Sequence, residues 1–270
     1  GEPKLFDPAA SPDEMRLYTM RGGFLGDLAR FDPRPFGAMP IAIVGGEPDQ
    51  FLALKCAQAA LEDAGLGANV DFPRERSGCI LGHAIHANRA NVNGMQHGVI
   101  VDQMVEIVGA LFPEAAADGK EQLKQLLHSK LPKCSADTMP ALIPNMMTGR
   151  ICNRLDLMGP NYIMDAACAS TTLAIEAAVS ELRRGRGDVM LAGGVNTTTS
   201  TLVFGVFCQL GALSRTAKVR PFSKGGDGTL LGEGQGIFVL KRLEDALQAD
   251  DRIYAVIKSI GSASDGRSSG

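Results

Sequence analysis

Apolar positions along the chain alternate between short unbroken runs and faces spaced at three or four residues. The runs at 77–82, 161–164, 188–195, 236–240 and 252–260 read as strands. Segments 50–63, 99–111, 121–131, 144–153, 170–182 and 243–249 read as helices. In the first of these, Leu52, Leu54, Ala57, Ala60 and Leu61 share one face before Gly65 ends it. The alternation has no repeats and no linkers, which predicts an α/β fold with helices packed around a largely parallel or mixed sheet.

Three stretches depart from this pattern. Residues 1–40 are rich in Pro, Gly and Asp and predict an extended arm on the domain surface. Ile41-Ala42-Ile43-Val44-Gly45-Gly46 has the look of a nucleotide-binding strand and loop, but no full G-x-G-x-x-G follows. The glycine-rich run from Gly225 to Gly236 lacks the Lys-Ser/Thr pair of a phosphate loop, so buried turns are expected there.

Composition narrows the class. The 270 residues are 45% hydrophobic, enough for one large domain or two small ones. A net charge of −3 argues against a nucleic-acid or anionic membrane partner. No apolar run is long enough to span a membrane and no signal-peptide pattern opens the chain, so a soluble, cytoplasmic protein is expected. Cys56, Cys79, Cys134, Cys152, Cys168 and Cys208 are scattered, which fits reduced thiols better than a disulfide framework. The opening Gly1 and the polar turn at 265–270 suggest a fragment.

Candidate chemistry centres on Gly159-Pro160-Asn161-Tyr162-Ile163-Met164-Asp165-Ala166-Ala167-Cys168-Ala169-Ser170. A strand, a tight turn and an alanine-rich helix place Cys168 at the turn. A thiol at a helix start meets unpaired N–H groups and the positive end of the dipole, which favour the thiolate. Ala166, Ala167, Ala169 and Ser170 are small enough to leave room for an acyl group. A buried structural cysteine is the alternative from spacing alone. His83-x-x-His86 could hold a metal, but no acidic or thiol ligand stands at useful spacing, so a polar loop is expected and no metal site.

Taken together, Asp165 to Ser170, Gly149-Arg150-Ile151, Leu157-Met158-Gly159-Pro160, Ala192-Gly193-Gly194-Val195, Gly211-Ala212-Leu213-Ser214, Arg220-Pro221-Phe222 and Gly232-Glu233-Gly234 occur in a collinear order. That order resembles the β-ketoacyl synthases, in particular ketosynthase domains of type I polyketide and polyunsaturated fatty acid synthases. The resemblance implies a thiolase-like fold of layered α-β-α-β-α. Residues 1–40 would be an arm, 41–240 the first half, and 241–270 the beginning of an incomplete second half.

The resemblance also implies a role for Cys168 as the catalytic nucleophile. It would take an acyl chain from the phosphopantetheine of an acyl carrier protein and condense it decarboxylatively with a malonyl-type thioester, using no cofactor of its own. The family's two catalytic histidines sit in motifs that none of His83, His86, His97 and His128 matches, so this stretch alone is expected to lack condensation. Phe207, seven residues before Ser214, matches an aromatic of the acyl pocket. Glu233, Arg220 and Asp227 match structural positions, and Ser223 stands where many relatives carry Asp. Expected partners are the carrier protein, a second copy joined near strand 161–164, and adjacent acyltransferase and carrier domains. A thiolase acting on acyl-CoA and a non-catalytic partner in a ketosynthase heterodimer are the competing functions.

Overall fold

The computed structural model describes residues 5–9, 11, 16–43, 46–84, 89–113, 117–133, 139–197 and 199–267. Its strands are β1 (Gly22–Gly23), β2 (Ser77–Gly82), β3 (Asn161–Met164), β4 (Val189–Asn196), β5 (Leu231–Gly232) and β6 (Gly234–Leu240). Its α-helices are α1 (Pro40–Ile43), α2 (Pro48–Asp63), α3 (Arg89–Met95), α4 (Val101–Leu111), α5 (Ala117–Lys130), α6 (Met146–Leu155), α7 (Ser170–Arg183), α8 (Thr201–Gln209) and α9 (Leu243–Gln248). Two compact units interleave along the sequence. One takes Gly1–Asp49, Ile85–Ile143 and Asn196–Gly234, the other Gln50–Ala84, Pro144–Val195 and Gln235–Gly270.

The second unit is built on a four-stranded sheet in the order β3-β2-β4-β6, with β2 parallel to both β3 and β4. Every residue of β2 is buried, which explains why its sequence is a continuous small and apolar run with no alternation. Ala174, Ala178 and Leu182 recur at four-residue spacing on α7 and pack on Ile80, Met190 and Ala192 of the sheet. Alanine at two of these three positions brings the helix axis close to the strands. The helix ends at Arg183, and Gly185 takes a left-handed φ of 66° just beyond.

The first unit pairs β1 with β5 in parallel, Gly22 opposite Leu231 and Gly23 opposite Gly232. Its core gathers Leu17, Tyr18, Phe204, Cys208 and Leu213, with Phe207 and Leu231 packed against them. The Tyr18 hydroxyl donates to the Leu213 carbonyl at 2.9 Å and accepts the Leu213 N–H at 3.1 Å. Most of 16–40 is exposed, but Leu17 and Tyr18 anchor this segment into the core, which the loop-like composition did not suggest.

The run that has the look of a nucleotide-binding strand is helical where it is described: Pro40–Ile43 forms one helical turn, and Val44 and Gly45 lie outside the described residues. Two expectations fail for physical reasons. Residues 252–260 hold strand-forming Ile253, Val256 and Ile257, yet pair with no described strand and are mostly exposed. Strand propensity needs a ladder partner to take effect. The glycine-rich run is not buried, since residues 221–229 are all exposed. Asp227 ties it down by accepting from Ser214 Oγ at 2.8 Å and from the Thr216 N–H at 3.1 Å.

Candidate active site

Cys168 sits where β3 turns into α7. A single 3-10 turn, Ala167–Ala169, carries it directly into the helix that begins at Ser170. The side chain is exposed, unlike Cys79, Cys152 and Cys208. Burial pushes the Cys79 thiol well up and the Cys152 thiol up to about 12, so both are inert neutral thiols. The site lies at the carboxyl ends of the parallel strands β3, β2 and β4, the edge where open α/β sheets bind ligands.

Two glycines set the depth at which α7 meets this edge. Gly82 closes β2, in register with Met164 of β3 and Gly194 of β4. A Cβ at Gly82 would lie 2.4 Å from the Ser170 carbonyl carbon and 2.5 Å from the Thr171 nitrogen. A Cβ at Gly194 would lie 1.9 Å from Thr171 Oγ1. Gly194 thus meets a side chain of α7, whereas Gly82 meets its main chain.

The turn is laced by side chains on either side of the sulfur. Ser170 Oγ accepts the Ala166 N–H at 2.8 Å and donates to the Ala167 carbonyl at 2.7 Å. Asp165 Oδ1 accepts the Ala167 N–H at 3.1 Å, and the Ala169 N–H reaches the Ala166 carbonyl at 3.0 Å. Ala167 itself has φ 49°, in the left-handed region. None of this lacing was read from the sequence, where Ser170 counted only as a small neighbour. A serine two residues after a candidate nucleophile was the available signal.

The remaining predicted residues lie on other elements. Phe207 lies on α8 in the first unit, half-buried against the core cluster of Leu17, Tyr18, Phe204, Cys208 and Leu213, while Cys168 belongs to the second unit. Glu233 accepts the Leu25 N–H through Oε2 and the Thr199 N–H through Oε1, each at 3.1 Å. Ser223 Oγ accepts the Gly225 N–H at 3.3 Å, so serine still bonds within this turn. His83 is buried and donates from Nδ1 to the Val195 carbonyl at 3.0 Å. His86 lies outside the described residues.

His97 lies in the π-helical turn Gln96–Ile100 and stacks on His128, with their Nδ1 atoms 2.9 Å apart. Among the described residues no cluster of three or more His, Cys, Asp or Glu is arranged to hold a metal, and no helix is long and apolar enough to cross a membrane.

Comparison with known proteins gives a consistent picture. Residues 2–246 match the family model described as "Beta-ketoacyl synthase, N-terminal domain". A polyunsaturated fatty acid synthase polypeptide of Thraustochytrium sp. is 32% identical over 273 residues, covering 98% of this chain and 9% of that protein. A phenolphthiocerol/phthiocerol polyketide synthase polypeptide of Mycobacterium tuberculosis is 33% identical over 264 residues, covering 98% of this chain and 12% of that one. The chain thus spans about a tenth of the length of these curated relatives.

Among solved structures, an oxazolomycin ketosynthase domain of Streptomyces albus superposes with TM-score 0.64 at 26% identity, covering 92% of this chain and 37% of that one. The ketosynthase from module 6 of the bacillaene synthase of Bacillus subtilis gives TM-score 0.62 at 26% identity, covering 84% and 32%.

Proposed function

The chain belongs to the β-ketoacyl synthase family through its N-terminal domain, and from that premise we propose that Cys168 is the residue that accepts an acyl group. The observation that carries this reading is an exposed thiol on a turn between a parallel strand and a helix, at the carboxyl edge of the sheet. The thiolate attacks the carbonyl carbon of a thioester held on the phosphopantetheine of an acyl carrier protein. A new C–S bond forms to Cys168, the old one breaks, and the pantetheine sulfur leaves and takes up a proton. Backbone N–H groups at the turn, that of Cys168 included, stabilise the oxyanion of the tetrahedral intermediate.

The second half-reaction is proposed for the full-length protein. A malonyl-type thioester loses carbon dioxide, and the carbanion attacks the Cys168-bound acyl carbon to form a C–C bond and release the cysteine. The protein carries no cofactor of its own in this scheme. Phe207 is proposed to line the acyl pocket, on the strength of its spacing from Ser214. Pairing of β3 with its copy in a homodimer is proposed from the place of that strand at the sheet edge. Neighbouring acyltransferase and carrier domains are proposed from the length of the relatives.

The test is donor choice. Full-length protein, with and without Cys168→Ala, is offered an acyl group on carrier protein or on CoA, and uptake is followed by intact-protein mass. Uptake from the carrier protein that disappears in the variant supports the reading. Strong preference for CoA would favour a thiolase-type enzyme, and no uptake from either donor would favour a non-catalytic partner.

A further inference from the structure

One hydroxyl holds the Cys168 turn from two directions. Ser170 is 5% exposed. Its oxygen accepts the N–H of Ala166 while its proton goes to the carbonyl of Ala167. Only a hydroxyl accepts and donates in this way through a single atom. The side chain does not cap its own helix: the N-cap of α7 is Ala169, with no side-chain bond to the first turn. The hydroxyl reaches backwards, to the two residues that precede the thiol.

What lies between those two bonds needs holding. Ala167 has φ 49°, where a Cβ is disfavoured and where Gly or Asn is the usual occupant. Its N–H is taken by Asp165, an exposed residue. The two Ser170 bonds are part-buried, whereas the Asp165 bond is exposed. Cys168 follows Ala167 directly, so a change in φ at Ala167 swings both the sulfur and the Cys168 N–H.

We propose that Ser170 is a positioning residue for Cys168, acting through Ala167: it keeps that residue left-handed and so fixes the direction of the nucleophile. The proposal rests on the reading of Cys168 as acyl acceptor. A displacement of about 1 Å in a reacting group costs as much as a hundredfold in rate. The effect therefore belongs in the acylation rate more than in donor affinity.

The experiment compares Ser170→Thr with Ser170→Val in the full-length protein, since the two differ in the hydroxyl and match in shape. Three quantities are measured: acyl uptake rate at saturating donor, the rate of Cys168 alkylation by iodoacetamide read from the peptide mass, and the melting temperature. The threonine variant should stay within about threefold of wild type, and valine should slow both rates by about ten- to a hundredfold with donor KM unchanged.

Adding Ala167→Gly to the valine variant should recover much of the loss, because glycine holds positive φ without a clamp. If valine unfolds the protein, Ser170→Ala takes its place. Equal rates for threonine and valine would overturn the proposal, and so would a loss that Ala167→Gly does not relieve, since the hydroxyl would then be merely structural. A wild type that takes up no acyl group sinks the acyl-acceptor reading, whereas the alkylation rates still decide the role of Ser170.

Discussion

Gly82 and Ser170 touch backbone to backbone: the position a Cβ would occupy on Gly82 is 2.4 Å from the Ser170 carbonyl carbon. This contact seats the first turn of α7 on the end of β2. Gly194 makes the equivalent contact from β4, but against a side chain, Thr171 Oγ1. The distinction has measurable consequences.

Gly194→Ala is expected to destabilise the protein by about 1–3 kcal/mol through overpacking, and Thr171→Ala in the same molecule should restore most of that. Gly82→Ala should cost at least as much and find no such relief, because its obstacle is main chain. Urea melts of the four variants check both statements. Additive losses for Gly194→Ala and Thr171→Ala would show that the two residues do not meet.

Buried and exposed thiols should separate cleanly on alkylation. Under native conditions at neutral pH, iodoacetamide is expected to label Cys168 well before Cys79, Cys152 or Cys208. The first two are held neutral by burial, and all three are shielded. Unfolding in guanidinium should make the four equally reactive. Peptide mapping by mass spectrometry reads the order directly.

Asp188 supplies the clearest pH signature. Hydrogen bonding to Arg76, helped by Arg242, holds its carboxyl down at about 2, against an ordinary value of 3.8. A depressed carboxylate stabilises the fold above its unfolded pKa and loses that contribution as pH falls through the folded value. Asp188→Asn is expected to cost on the order of 1 kcal/mol at pH 7, allowing for solvent screening. The gap between wild type and variant should hold constant down to about pH 5 and close between about pH 4 and pH 2. Denaturant melts across that range measure it.

In the first unit, Tyr18→Phe removes one hydroxyl that serves both the N–H and the carbonyl of Leu213. Both backbone groups are then left buried without that partner, at a cost of about 1–3 kcal/mol. A drop in melting temperature with unchanged Cys168 alkylation is the expected result.

The strand, turn and helix around Cys168 were legible because each obeys a local rule: a Gly-Pro entry, a short apolar run, then alanines at helical spacing. The mixed α/β, thiolase-like fold followed from the collinear motifs, and the solved ketosynthase domains bear it out. Residues 252–260 misled because strand formation depends on a neighbour that composition does not reveal. The burial of Leu17 and Tyr18 was hidden by the Pro and Gly around them. At the site, the position of the thiol was readable, but the backward reach of Ser170 was not. A serine near a helix start looks the same in sequence whether it caps its own helix or clamps the preceding turn.

The most direct test of the account is the mass of the peptide that carries Cys168. Full-length protein is incubated with an acylated carrier protein, quenched in acid and digested. The account predicts that the mass of the acyl group appears on the peptide containing Cys168, and that Cys168→Ala abolishes it. An acyl group found on another residue, or uptake unchanged in the variant, would contradict the claim that this thiol is the acceptor.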